Sequence, residues 1–246
     1  MSSRFPATRW SAILAARSKD PAARERAIGT LLEAYWKPVY KYIRLRWSRP
    51  AEDAKDLTQD FFAELLERDL LSRYDPERSR MRTYLRLCVD SSVANSDKAA
   101  RRLKRGGGTT VVTLDFSAAD EELSRTAMDP LRLASPESLE SFFEKEWIRS
   151  LFSSAVEELR RECEERAKTV HFRLFEQYDL EDTTDPRPRY EDLAKQHGIG
   201  STDVTNYLSW ARREFRRIVL ERLRELCGDE EEFLREARDL FGWQPQ

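Results

Sequence analysis

Residues 53–69 read DAKDLTQDFFAELLERD, and residues 78–105 read RSRMRTYLRLCVDSSVANSDKAARRLKR. The first carries six acids (Asp53, Asp56, Asp60, Glu64, Glu67, Asp69) against two bases, Lys55 and Arg68. The second carries nine bases against two acids, Asp90 and Asp97. Charge is sharply sorted within a chain whose net charge is only −2. Leu57, Phe61 and Leu65, flanked by Phe62 and Leu66, recur at helical spacing and predict a helix with an apolar stripe. Asp53, Asp56, Asp60, Glu64 and Glu67 follow the same spacing along its other side. Such a stripe is either a solvated helix face or the complement of a basic partner.

In the basic half, Tyr84, Leu85, Cys88, Val89 and Val93 supply the inward positions of a long helix. Arg82 and Arg86 sit at its start, and Lys98, Arg101, Arg102, Lys104 and Arg105 gather at its end. Lys and Arg clustered on one helix fit nucleic acid, because each phosphate contact releases counterions. The preceding loop, Arg73 to Arg80, holds Pro76 as a breaker, with Tyr74 and Tyr84 at its two ends. Aromatics beside arginines stack unpaired bases. They also pack cores, and the sequence leaves both roles open for each ring.

The run Asp53 to Phe62, followed by Arg82-Thr83-Tyr84-Leu85, resembles region two of the extracytoplasmic-function (ECF) sigma factors. The resemblance implies that Asp53, Asp56, Gln59, Asp60 and Glu64 bind the clamp coiled coil of core RNA polymerase. It implies that Tyr74, Arg78, Arg80, Arg82, Tyr84, Arg86, Lys98, Arg101 and Arg102 engage the minus-ten promoter element and help melt it. The chain departs from the family pattern at Lys55, Met81, Tyr84, Ser91 and Asn95.

Composition sets the frame. The 246 residues suffice for one or two domains at about 150 residues each. Eight glycines among many Leu, Ala, Arg and Glu favour an all-α protein. Hydrophobic residues at 40%, charged at 36% and a mean hydropathy of −0.72 predict small cores. A pI near 6.0 excludes a simple polycation, so any nucleic-acid binding is local or assisted by a larger partner. Cys88, Cys163 and Cys227 lie far apart, which indicates neither a disulfide framework nor a zinc site. The absence of a long apolar run and of a signal-peptide core predicts a cytoplasmic protein that meets no membrane. Without a phosphate-binding glycine loop, a metal-ligand spacing or a recognisable nucleophile motif, the expectation is no enzymatic activity, no metal and no cofactor.

In chain order, Thr8-Arg9-Trp10 opens a helix with Ile13 and Leu14 inward. A second helix spans roughly Pro21 to Trp47, where Lys37-Pro38 is a candidate kink. With the acidic and basic helices these make a region-two-like helical domain, residues 1–105. Gly106-Gly107-Gly108 then breaks the chain, and 106–134 reads as a linker. Within it, Val111 to Phe116 is a short strand, a docked segment or a part that threads into polymerase.

Ser135-Pro136 starts a strongly amphipathic helix through Leu159, a further helix lies near Val170 to Phe175, and Asp179 to Arg189 is a surface loop. Tyr190, Leu193 and Ala194, a Gly198-Ile199-Gly200 turn, then Val204, Leu208, Ala211, Phe215 and Ile218 read as a helix-turn-helix or as a plain helical hairpin. This is the second domain, 135–228, and it stands where ECF sigma factors carry region four. By that resemblance Thr202, Asp203, Thr205, Asn206, Ser209, Arg212, Arg213 and Arg216 read the minus-thirty-five element, with Arg217 a further phosphate clamp. Asp203, Thr205 and Tyr207 differ from the family's usual recognition residues. An extension, 229–246, opens with an Asp229/Glu232 capping box and either packs on the second domain or meets a partner.

The expected function is an ECF-type sigma factor with core RNA polymerase and promoter DNA as partners. The alternative is a stand-alone helix-turn-helix regulator of transcription; a protein-binding helical adaptor is a third reading. Candidate regulators are an anti-sigma protein, a kinase acting near Thr58, or the C-terminal helix.

Overall fold

The computed structural model describes residues 12–16, 20–68, 70–100, 114–125, 135–181 and 187–242. The protein is all-α, and no strand occurs among these residues. The helices are α1 (Ala12–Ala16), α2 (Pro21–Arg46), α3 (Ala51–Glu67), α4 (Met81–Ala100), α5 (Phe116–Arg125), α6 (Pro136–Glu165), α7 (Thr169–Phe175), α8 (Tyr190–His197), α9 (Ser201–Glu225) and α10 (Glu230–Phe241). No described helix is long and apolar enough to cross a membrane. Packing divides the chain into two compact units, Met1–Ser150 with Leu223–Gln246, and Leu151–Arg222. The division falls inside α6 and α9, away from the boundaries predicted at 105, 134 and 228.

The first unit is centred on α2. Asp20 caps its start by accepting from the Ala22 amide, and the helix continues through Pro38 to Arg46. Tyr35, Val39, Tyr40, Tyr42 and Ile43 are buried along it. Phe61, Phe62 and Leu65 of α3 and Leu85, Val89 and Val93 of α4 are buried too, at the spacing that the sequence predicts. From the first half of α6, Phe143 meets Tyr42 edge-on with ring centroids 5.4 Å apart, and Trp147 stacks on Tyr35 at 6.3 Å.

Residues 116–125, expected as linker, form α5 and dock on α2. Phe116 packs edge-on against Trp36 and Tyr40. Asp120 accepts from Tyr40 Oη at 3.1 Å and Arg44 Nε at 3.0 Å, and Glu122 pairs with Lys37 and Lys41. One aromatic and two carboxylates hold this helix. Its few apolar residues give periodicity little to detect. Lys41, 1% exposed, also binds Glu146 of α6 at 2.7 Å, so these two buried charges are each other's counterions. Of the predicted patch, Phe116 is docked, and 111–113 lie outside the described residues.

In the second unit, Leu174, Leu193, Ala194, Val204 and Leu208 form a core flanked by Val170, Tyr178, Tyr190, Ile199 and Tyr207. α7 continues into a π-helical turn, Glu176–Leu180. Gly198 ends α8 in the left-handed region at φ 65°, where a Cβ would be strained, and α9 starts three residues later.

Candidate nucleic-acid interface

α3 leaves Asp53, Asp56 and Asp60 exposed, and none of the three pairs with a cation among the described residues. Burial, then the carboxylates of Asp56 and Glu64, raise the Asp60 carboxyl above the ordinary range. Gln59 is half-buried. Glu64 leaves the stripe, since it accepts from Ser92 Oγ of α4 at 2.6 Å and pairs with Arg68 at 2.8 Å. Thr58 is fully buried and donates to the Ala54 carbonyl, so in this form it offers no kinase a hydroxyl.

The residues expected at the minus-ten element are arranged differently from the sequence expectation. Tyr74 is 3% exposed, so it offers no face to a base. Its ring lies 5.4 Å from that of Tyr84. Burial first, then Glu232, pushes its hydroxyl pKa up. Tyr84 is half-buried and donates to the Leu70 carbonyl at 2.5 Å. Arg82 is buried and forms ion pairs with Glu236 of α10 and Glu144 of α6, its guanidinium 4.9 Å from the Trp147 ring. Arg80 pairs with Asp239 at 2.5 Å and Glu236 at 3.5 Å. Arg86 pairs with Glu140 at 3.4 Å and Asp90 at 3.5 Å. Arg78 remains exposed beside Asp75, at 3.2 Å. The side chain of Lys98, and Arg101 and Arg102 altogether, lie outside the described residues.

The acids come from two helices. On α10, Glu232, Glu236 and Asp239 share one side by their four- and three-residue spacing. Glu232 accepts from the Met81 amide at the start of α4 at 2.7 Å and from the Gly228 amide at 2.6 Å. A carboxylate at a helix N-terminus takes the place an anion would. Arg235 donates to the Pro76 carbonyl at 3.2 Å, so α10 runs along the loop as well as the start of α4.

Burial drives the Glu236 carboxyl up, opposed by Arg82 and Arg80. Burial is the largest influence on Arg82 and lowers it, but the hydrogen bond to Glu236 and the charges of Glu236 and Glu144 together leave it raised. Two guanidiniums, those of Arg82 and Arg80, share this one carboxylate. Arg82, Arg86, Glu140 and Phe143 line part of a cavity of about 210 Å³ among these pairs. α10 thus packs within the first unit, where it also meets Arg224, a residue of the predicted second domain, whose guanidinium lies 4.0 Å from the Phe233 ring. Asp229 caps α10 through the Glu232 amide at 2.8 Å, but the Glu232 side chain reaches Gly228 and Met81 instead of closing the expected box.

On α9, Thr202, Thr205, Asn206, Ser209, Arg213 and Arg216 are exposed. Asp203 turns back, accepting from the Gly200 amide at 3.1 Å, and so caps its own helix. Asp179 holds Arg212 with two 2.9 Å hydrogen bonds, and the guanidinium lies 5.5 Å from the Tyr178 ring. Arg217 pairs with Glu162, Glu214 and Glu221, which makes it a structural residue. Sequence reading missed an aromatic group beside this face: His171 stacks on Tyr207 at 3.8 Å and meets Trp210 at 5.1 Å, and Lys168 lies 4.1 Å over Trp210. Tyr207 and Trp210, three apart on one helix, were the available signal.

Among the described residues, no group of three or more His, Cys, Asp and Glu is placed to hold a metal ion. Comparison with family models, with curated proteins and with solved structures gave no match.

Proposed function

We propose that this chain is an ECF-type sigma factor, acting in the cytoplasm as a binding protein and not as an enzyme. In this reading α3 docks on core RNA polymerase through Asp53, Asp56 and Asp60. α4 and its preceding loop meet the minus-ten element. α8 and α9 form the helix-turn-helix that meets upstream duplex. The observation that carries the reading is the α3 stripe. The Lys41, Arg44, Arg80, Arg82 and Arg86 side chains of the same unit all find carboxylates, whereas these three aspartates find no cation among the described residues. One of them, Asp60, is disfavoured as a charge by burial first and then by Asp56 and Glu64, so an approaching cationic surface would relieve it.

The test is capture of bacterial core RNA polymerase by the tagged chain, beside the Asp56→Arg/Asp60→Arg variant. Capture by the parent and loss in a folded variant supports the reading. Equal capture by both removes α3 from the interface, and capture by neither removes the sigma-factor assignment.

A second reading has its own observation. Arg80, just before α4, and Arg82 and Arg86 on it are engaged internally, while Thr202, Thr205, Asn206, Ser209 and Arg213 of α9 face solvent. A stand-alone helix-turn-helix regulator would use α9 alone, and it would shift duplex DNA without polymerase.

A further inference from the structure

We infer that α10, with the acidic start of α6, is an intramolecular stand-in for the nucleic-acid backbone on the α4 surface, and that it must leave before that surface can bind. The inference rests on the proposed nucleic-acid role of α4. Its physical content comes from the chemistry of the contact. Phosphates are bound by guanidiniums and by backbone amides at helix starts. Here carboxylates already occupy both kinds of donor. Glu236 and Asp239 sit on Arg82 and Arg80, Glu140 and Glu144 on Arg86 and Arg82, and Glu232 on the Met81 amide.

The same helix also takes the backbone of the loop through Arg235 and Pro76. A phosphate reaching Arg82 would have to displace Glu236, which is 3% exposed. The cover is graded. Glu232 and Glu236 are buried, whereas the Glu140, Glu144 and Asp239 side chains are 50%, 42% and 49% exposed. The outer carboxylates are therefore the part that a competing polyanion reaches first.

If only a small fraction of molecules has α10 displaced, apparent affinity for a polyanion falls by that fraction. The experiment measures binding of a fluorescent single-stranded oligonucleotide to three full-length proteins at low salt. They are the parent, the inner variant Glu236→Gln/Asp239→Asn, and the outer variant Glu140→Gln/Glu144→Gln/Asp239→Asn, which leaves the buried carboxylates in place should the inner variant fail to fold. Adding Arg80→Ala/Arg82→Ala to the tighter variant checks that the gain passes through α4.

The expected result is affinity at least about tenfold higher in a folded variant than in the parent, lost again with the two arginines. In parallel, mass spectrometry follows alkylation of Cys227, a buried thiol next to the α10 start. Excess oligonucleotide should accelerate it in the parent. Equal affinities in parent and variants, with Cys227 protection unchanged, overturn the inference. Polymerase capture by the same proteins keeps the two ideas apart. Capture with no gain in oligonucleotide binding rejects the α10 cover and spares the sigma-factor reading. A gain without capture supports the cover and rejects that reading.

Discussion

Ala167 carries a backbone that an L side chain rarely adopts, with φ 54°. It ends α6 in a Schellman arrangement, in which the Lys168 amide donates to the Cys163 carbonyl at 2.7 Å and the Ala167 amide to Glu164 at 3.2 Å. Ala167→Gly should remove the Cβ strain and stabilise the fold by about 0.5–1 kcal/mol, offset in part by the freer unfolded chain. A shift of the urea midpoint to higher denaturant checks this. His171 makes a second residue-scale prediction. Burial first, and then Lys168, lowers its pKa below the ordinary 6.5. The unfolded chain therefore binds the proton more readily, and the contribution of His171 to stability falls as pH drops through about 6.5 and levels off below the folded pKa. His171→Phe keeps a ring on Tyr207 and removes the titration. Relative to the parent it should gain stability on going from pH 7 to pH 5. A pH-independent difference in unfolding midpoint between the two would contradict this.

At the scale of elements, the approach of α10 to the loop before α4 depends on one missing side chain. A Cβ on Gly228 would come within 2.8 Å of Tyr74 Cε1 and 3.4 Å of Glu232 Oε2. Gly228→Ala should cost about 1–3 kcal/mol by overpacking and loosen α10. Equilibrium unfolding measures the first effect, and faster alkylation of Cys227 the second. Most elements were legible in the sequence wherever an apolar stripe specified them. Phe61 and Leu65, Leu85 and Val89, and Val204 and Leu208 are buried as their spacing predicts. α5 and the placement of α10 were not legible, for a shared reason. Polar groups decide both contacts, and the side of α10 that turns inward carries Glu232 and Glu236 beside Phe233 and Ala237. Pattern reading assigns such acids to solvent, because it does not see the arginines that will meet them.

At the scale of the whole molecule, charge that looks available in the sequence is largely spent on internal pairs. Of the arginines named for DNA contact, Arg80, Arg82, Arg86 and Arg212 have carboxylate partners. Arg213 keeps an exposed side chain, and among the described residues its one carboxylate neighbour is Glu214 at 3.8 Å. On duplex DNA, Arg213→Ala should therefore lower the salt slope of binding by about 0.9, the value for one phosphate, with folding stability unchanged. Arg212→Ala should instead lower the melting temperature through the loss of its Asp179 pair, and the two readouts separate the roles. The first unit also draws on two stretches of chain separated by residues 151–222. A ribosome makes them in order. Arg82 is translated 62 residues before Glu144 and 154 residues before Glu236. At about 5–20 residues per second, the wait for Glu236 lasts roughly 8–30 s. For that interval the nascent basic helix carries its positive charge without its last and most deeply buried counterion, so the unit reaches its finished electrostatic state late in translation.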